Sequence, residues 1–147
     1  MPANPAFIGR TLASPSRYEV TSGALVAFAN AVGASHPACR DVGAARALGY
    51  SGIVAAPTFA VVIAQAAEAA YVGDPESGID FSRVVHASER FVHHRPIVAG
   101  DVLVSTLHVE DITSRTGLTF VTTRVEIADD GGPVATVTST LAIREGE

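Results

Sequence analysis

Apolar residues recur at three- and four-residue spacing in the first half of the chain and at every second position in the last third. Leu25, Phe28, Ala29 and Val32 mark one face of a helix over Ser22–Ala31, with Thr21 as N-cap and Gly33 as C-terminal stop. Asp41 caps a second, short helix, Gly43–Leu48, closed by Gly49. Between them Ala34–Arg40 reads as a loop, because Pro37 disfavours helical geometry in the residue before it. A short strand is expected near Arg17–Val20. The run Ala55–Ala70 predicts the central helix. Pro57 stands near its start, where a missing N–H costs least, and alanine dominates its interior. Apolar side chains point in nearly every direction around it, which implies burial on most sides.

After a Gly/Pro-rich loop at Gly73–Gly78, four strand-like runs follow at Arg83–Arg95, Val102–Asp111, Leu118–Ala128 and Val134–Arg144. In the third, Val121, Thr123, Val125 and Ile127 alternate with Thr122, Arg124 and Glu126. Short turns at Val98-Ala99-Gly100, Ser114–Gly117 and Asp129–Pro133 make three hairpins in series, an antiparallel meander. The expected fold is α+β: one domain over residues 1–147, with about five antiparallel strands curled around one long helix.

The composition fits a globular chain, with 48% hydrophobic and 17% charged residues among 147. A formal net charge of -5 argues against a dedicated nucleic-acid surface. The single cysteine, Cys39, excludes an intramolecular disulfide and suits a reducing compartment. The opening Met1-Pro2-Ala3-Asn4-Pro5 lacks the regions of a signal peptide, and no apolar run has the length of a membrane span. A cytoplasmic location is expected.

Histidine is the first candidate for chemistry near neutral pH. His93 and His94 are neighbours on a strand, so they face opposite ways, one exposed and one packed. His108 reads as a surface residue. His86, Glu89 and Arg90 either line a pocket or decorate a solvated face. Glu68 is a candidate general base, although such a residue is more often the exposed end of a helix. Cys39 and His36 flank Pro37, but a free cysteine is usually a small buried hydrophobe. No metal-ligand spacing, phosphate loop or nucleophile elbow is present, and no cofactor is implied.

Three segments carry a resemblance: Ala31-Val32-Gly33-Ala34-Ser35-His36-Pro37-Ala38-Cys39, Gly52-Ile53-Val54-Ala55-Ala56-Pro57-Thr58-Phe59, and Phe91-Val92-His93-His94-Arg95-Pro96-Ile97-Val98-Ala99-Gly100-Asp101. Together they resemble the MaoC-like hydratase/dehydratase group of hot-dog folds. The run Gly78–His86 adds likeness to the accessory subunits of actinobacterial (3R)-hydroxyacyl-ACP dehydratase. The likeness extends from Ile8-Gly9-Arg10 to the last strand.

Active members of that group carry Gly-Asp-x-Asn-Pro-(apolar)-His, whose Asp and His move the protons. By the resemblance, Ala34 stands at the Asp position, His36 at the Asn position and Cys39 at the His position. The helix start, His-Gly in active members, is Ala56-Pro57, and proline has no N–H to offer an oxyanion. The resemblance therefore implies an accessory subunit without a catalytic dyad of its own. It would pair with a MaoC-like chain as a heterodimer, or with itself in isolation, and act on an acyl-ACP or acyl-CoA. Pro57, Thr58, Phe59, Ile63, His86 and Phe91 are the substrate-binding candidates. Arg83, Arg90 and Arg95 are the candidates for contact with an acidic carrier protein or CoA phosphates. The alternatives are a stand-alone homodimeric hydratase or thioesterase using Glu68, Glu89 or His86, and a non-catalytic acyl-thioester binding module.

Overall fold

Both helix caps form where the side chains imply them. In the computed structural model, which describes residues 2–14 and 16–146, the Thr21 hydroxyl accepts the Ala24 amide at 3.2 Å and opens α1, Ser22–Val32. Asp41 accepts the Ala44 amide at 2.8 Å and opens α2, Val42–Ala47. The central helix, α3, runs Ala60–Val72 and begins at Ala60 rather than Ala55. The cause is tertiary. Val54 forms a bridge with Val98, and the Ala55 amide donates to the Ile97 carbonyl at 2.8 Å, so residues 54–55 are held extended. Pro57–Phe59 then turn into the helix.

Contrary to the sequence expectation, α3 is not buried on most sides. Ala60, Ile63, Ala64, Ala67, Glu68, Tyr71 and Val72 form one buried stripe, while Gln65, Ala66, Ala69 and Ala70 are exposed. The sheet covers only one side of the helix: α3 packs on β4, β5 and β6.

The strands are β1 Thr11–Ala13, β2 Tyr18–Glu19, β3 Val84–His93, β4 Val102–Arg115, β5 Leu118–Asp129 and β6 Gly132–Arg144. Among the described residues they number six rather than about five, because Thr11–Ala13 pairs with β4. All pairings are antiparallel, in the order β1-β4-β5-β6-β3, with β2 also on β4. The β4–β5 and β5–β6 hairpins are those expected. The first hairpin of the expected meander does not form: β3 pairs with β6 instead of β4. The connecting segment is tied elsewhere, by the Ala99 amide to the Ile53 carbonyl at 2.9 Å and the Gly100 amide to the Val20 carbonyl at 2.8 Å. Arg95 clamps its base, bonding Asp101 at 2.8 Å and Asp129 at 2.6 Å. The result is the hot-dog arrangement, a curled sheet packed against the buried stripe of α3, with β3 as a long edge strand.

The inner face alternates as period-two patterning requires. Thr119, Val121, Thr123, Val125 and Ile127 of β5 are all buried, as are Val137, Ser139 and Leu141 of β6. In β4 the buried row changes phase, from Leu103, Leu107 and Val109 to Ile112. A bulge at Glu110, between Val109 and Asp111, shifts the pleat by one residue. Among the described residues no helix is long and apolar enough to cross a membrane.

Candidate functional site

The three family-like segments meet at the start of α3. The Val54 amide donates to the Ala38 carbonyl at 2.9 Å, which fixes the loop carrying Ala34, His36 and Cys39 beside the Ala55–Pro57 turn. His36 Nδ1 accepts the Ala38 amide at 3.1 Å, so this ring serves as the cap of a one-turn 3-10 helix, Pro37–Cys39. Cys39 is buried, and the Ala34 carbonyl accepts the Arg40 Nε at 2.8 Å. On the other side of the turn, His93 Nε2 donates to the Pro57 carbonyl at 2.7 Å. A cavity of about 400 Å³ opens here, lined by Val54, Ala55, Pro57, His93, His94 and Ile97 among others. His93 and His94 are both exposed, which corrects the expectation that one of them packs. His93 lies parallel to Phe91 at 6.2 Å between ring centres, while His94 Nε2 lies 3.3 Å from the Thr136 hydroxyl on the other face. His108 is half-buried under β1, with Nδ1 3.1 Å from the Thr11 hydroxyl.

Pro57 and Thr58 are exposed at this mouth. Phe59 is buried, edge-on to Phe28 at 5.4 Å, and Ile63 lies one turn further along the buried stripe. Phe91 is half-buried on β3.

A second constellation lies further along β3, and the sequence does not display it. Glu68, expected at an exposed helix end, is buried, with 4% of its surface accessible. His86 and Glu89 lie three apart on one strand, a spacing that should send them to opposite faces. They reach the same face because a bulge between His86 and Ser88 adds one residue to β3. The register confirms it: His86 stands opposite the buried Leu141, and Glu89 opposite the buried Ser139. Glu68 Oε2 lies 3.2 Å from His86 Nε2, and Glu89 Oε1 lies 3.3 Å from the same nitrogen. The other carboxylate oxygens are anchored: Thr123 donates to Glu68 Oε1 at 3.0 Å, and Ser139 donates to Glu89 Oε2 at 2.7 Å. Thr123 and Ser139 are cross-strand partners, so Glu89, Ser139 and Thr123 form one polar row across the sheet under α3. Burial pushes the Glu89 carboxyl above its ordinary value. The Ser139 hydrogen bond opposes that shift, the Glu68 charge adds to it and His86 offsets it. Glu89 Oε1 is buried without a hydrogen bond of its own. A cavity of about 350 Å³, lined by Gln65, Glu68, Val72, Phe81, His86 and Leu141 among others, leads to the cluster.

The arginines are spread out. Arg83 precedes β3 and lies 3.5 Å from Asp80, Arg90 is exposed mid-strand, and Arg95 follows the strand. The ten residues of β3 span about 30 Å at ~3.3 Å each, so the three groups do not gather into one patch. Arg95 is held by Asp101 and Asp129, and these bonds raise its pKa further.

Residues 6–137 match the FAS1-like, dehydratase domain region. The chain belongs to this dehydratase domain family. A UPF0336 protein of Saccharopolyspora erythraea is 46% identical over 145 residues, covering 98% of this chain and 93% of that protein. A chain of the C-terminally truncated HadBC (3R-hydroxyacyl-ACP dehydratase) complex from Mycobacterium tuberculosis superposes with a TM-score of 0.86. It is 29% identical and covers 97% of this chain and 99% of that one. A MaoC-like dehydratase also superposes at 0.86 with 30% identity, over 96% of this chain and 43% of that longer one. The FAS1-like dehydratase family and its MaoC-like hot-dog neighbours thus account for the fold.

Proposed function

We propose that this chain is the accessory, substrate-binding subunit of a (3R)-hydroxyacyl-ACP or -CoA dehydratase of fatty acid metabolism, working in the cytoplasm with a MaoC-like partner that brings the Asp/His dyad. One observation carries this reading. The Val54–Ala38 hydrogen bond holds the loop beside the turn into α3, and the positions that the family pattern makes chemical hold Ala34, Cys39 and Pro57. Ala34 has no proton to transfer, Cys39 is a buried free thiol, and Pro57 presents a carbonyl occupied by His93 rather than an N–H. The similarity to a chain of the heteromeric HadBC complex supports a partnered role. In this reading Pro57, Thr58, Phe59 and Ile63 shape the acyl-thioester path, with Phe91 and His86 along β3. Arg83 and Arg90 are the candidates for the acidic carrier, and Arg95 would contribute only by exchanging its carboxylate partners. The long exposed edge of β3, which includes Val85 and Val92, offers the partner a strand to pair with.

Co-expression with a MaoC-like chain bearing the intact dyad tests this. The two should co-elute, bury roughly 1,200 Å² or more, and hydrate a trans-2-enoyl thioester together. Separate elution, or a partner that is fully active alone, contradicts the proposal.

The convergence of Glu68, His86 and Glu89 favours one second reading, a stand-alone hydratase or thioesterase using these side chains for proton transfer. Turnover of crotonyl-CoA or another acyl-CoA by the purified single chain, lost in Glu68→Gln, would select it.

A further inference from the structure

We infer that Glu68, His86 and Glu89 form a divalent-metal site whose fitting ion is zinc, a conclusion independent of the accessory-subunit reading. The donor set is one imidazole nitrogen and two carboxylate oxygens, drawn from α3 and from both sides of the β3 bulge, all within 4.8 Å of one another. Around a tetrahedral ion with bonds of ~2.0–2.1 Å, neighbouring ligand atoms stand ~3.3 Å apart. The two separations from His86 Nε2 are 3.2 Å and 3.3 Å. With the imidazole proton on Nδ1, Nε2 is left as the nitrogen donor beside both oxygens.

Three further features point to an ion rather than an ordinary surface cluster. Each carboxylate has its outer oxygen fixed by a hydroxyl, Thr123 for Glu68 and Ser139 for Glu89, which is the support that ligating carboxylates receive in metal centres. The inner oxygen of Glu89 is buried and lacks a hydrogen bond. Two carboxylates facing one imidazole remain short of positive charge, which a divalent cation supplies. Nitrogen and carboxylate donors in this number suit a borderline ion such as zinc, and magnesium and calcium prefer oxygen-only shells. The cavity beside Glu68 and His86 gives the ion an entry path and leaves room for water as a fourth ligand. The site is invisible to motif spacing because its residues are brought together by a helix, a bulge and a sheet face.

The test is titration of the full chain, stripped with EDTA, with zinc sulfate, followed by calorimetry and by competition with a chromophoric chelator. One equivalent should bind. His86→Ala and Glu89→Gln should abolish or strongly weaken binding, and Thr123→Val and Ser139→Ala should weaken it by roughly 10–100-fold. Cys39→Ala and His108→Ala, which remove the thiol and a histidine elsewhere, should leave it unchanged. Absence of saturable binding, binding that survives His86→Ala in a variant folded by circular dichroism, or a loss that follows Cys39 or His108 overturns the inference. If the ligand variants fail to fold, anomalous diffraction at the zinc edge from crystals of the unmodified chain decides: a peak between the three donors supports the site, and a peak elsewhere or none overturns it.

Discussion

His93 Nε2 and the Pro57 carbonyl oxygen lie 2.7 Å apart, joining the end of β3 to the turn that leads into α3. Both residues line the adjoining cavity, and the bond ties the turn before α3 to the sheet. His93→Ala should therefore cost about 0.5–1.5 kcal/mol, the net worth of one ordinary hydrogen bond. His93→Gln, which can still donate, should recover part of it. Urea denaturation of the three proteins measures both.

Ile63 tests the core. It lies on the buried stripe of α3 with 2% of its surface accessible. Ile63→Ala should destabilise the chain by about 2–5 kcal/mol. A loss under ~0.5 kcal/mol in chemical denaturation, far below that range, would mean that α3 does not organise the core.

The purified chain alone should show no appreciable hydration of a trans-2-enoyl thioester. A turnover of ~1 s⁻¹ or more, an ordinary enzyme rate, contradicts the accessory role. In a reconstituted complex Cys39→Ala should leave the rate nearly unchanged.

Glu89 predicts a pH dependence. Burial, its leading perturbation, holds the carboxyl above its ordinary value. A carboxyl raised in the folded state contributes stability that is fully present below the unfolded pKa of ~4.3 and lost as pH rises through the folded value. Glu89→Gln removes that loss. Its Tm relative to the unmodified chain, in metal-free buffer, should climb as pH rises through and above the usual carboxylate range. A difference that stays flat or shrinks would refute this.

Arg95 predicts the opposite trend. Its hydrogen bond is the main reason that the Asp129 carboxyl sits below its ordinary value. Stability from such a group is present above the unfolded pKa of ~3.9 and lost as pH falls through the folded one. Arg95→Ala should lower Tm near neutrality, by an amount limited by solvent screening of this partly exposed pair. The cost should shrink in acid, as followed by Tm at each pH.

The elements with local causes were legible in the sequence. Thr21 and Asp41 cap α1 and α2 through their own side chains, and the alternation of Val121–Ile127 places β5 without reference to its neighbours. What depended on distant partners was not legible. Thr11–Ala13 is too short to show a period and is a strand only because β4 lies beside it. The start of α3 is set by Ile97 and Val98, some forty residues away in sequence, which hold Val54 and Ala55 extended. That Ala34, Cys39 and Pro57 stand at chemical positions could be proposed from the family pattern alone. The meeting of Glu68, His86 and Glu89 could not, since the bulge that turns His86 and Glu89 to one side shows only in the register with β6.

That β3 pairs with β6 governs how the chain can be made. During synthesis β3 emerges well before the strand it must join, because the whole β4–β5 hairpin lies between β3 and β6. Until then β3 is unpaired, and the buried faces of β5 and α3 are open on that side. Closure of the sheet must wait for β6 to leave the ribosome, so the nascent protein carries β3 unprotected while β4, β5 and β6 are made. Such non-local pairing is slow and exposes the chain to aggregation. A deletion that removes β6 would leave β3 without its neighbour, however complete the rest of the sequence.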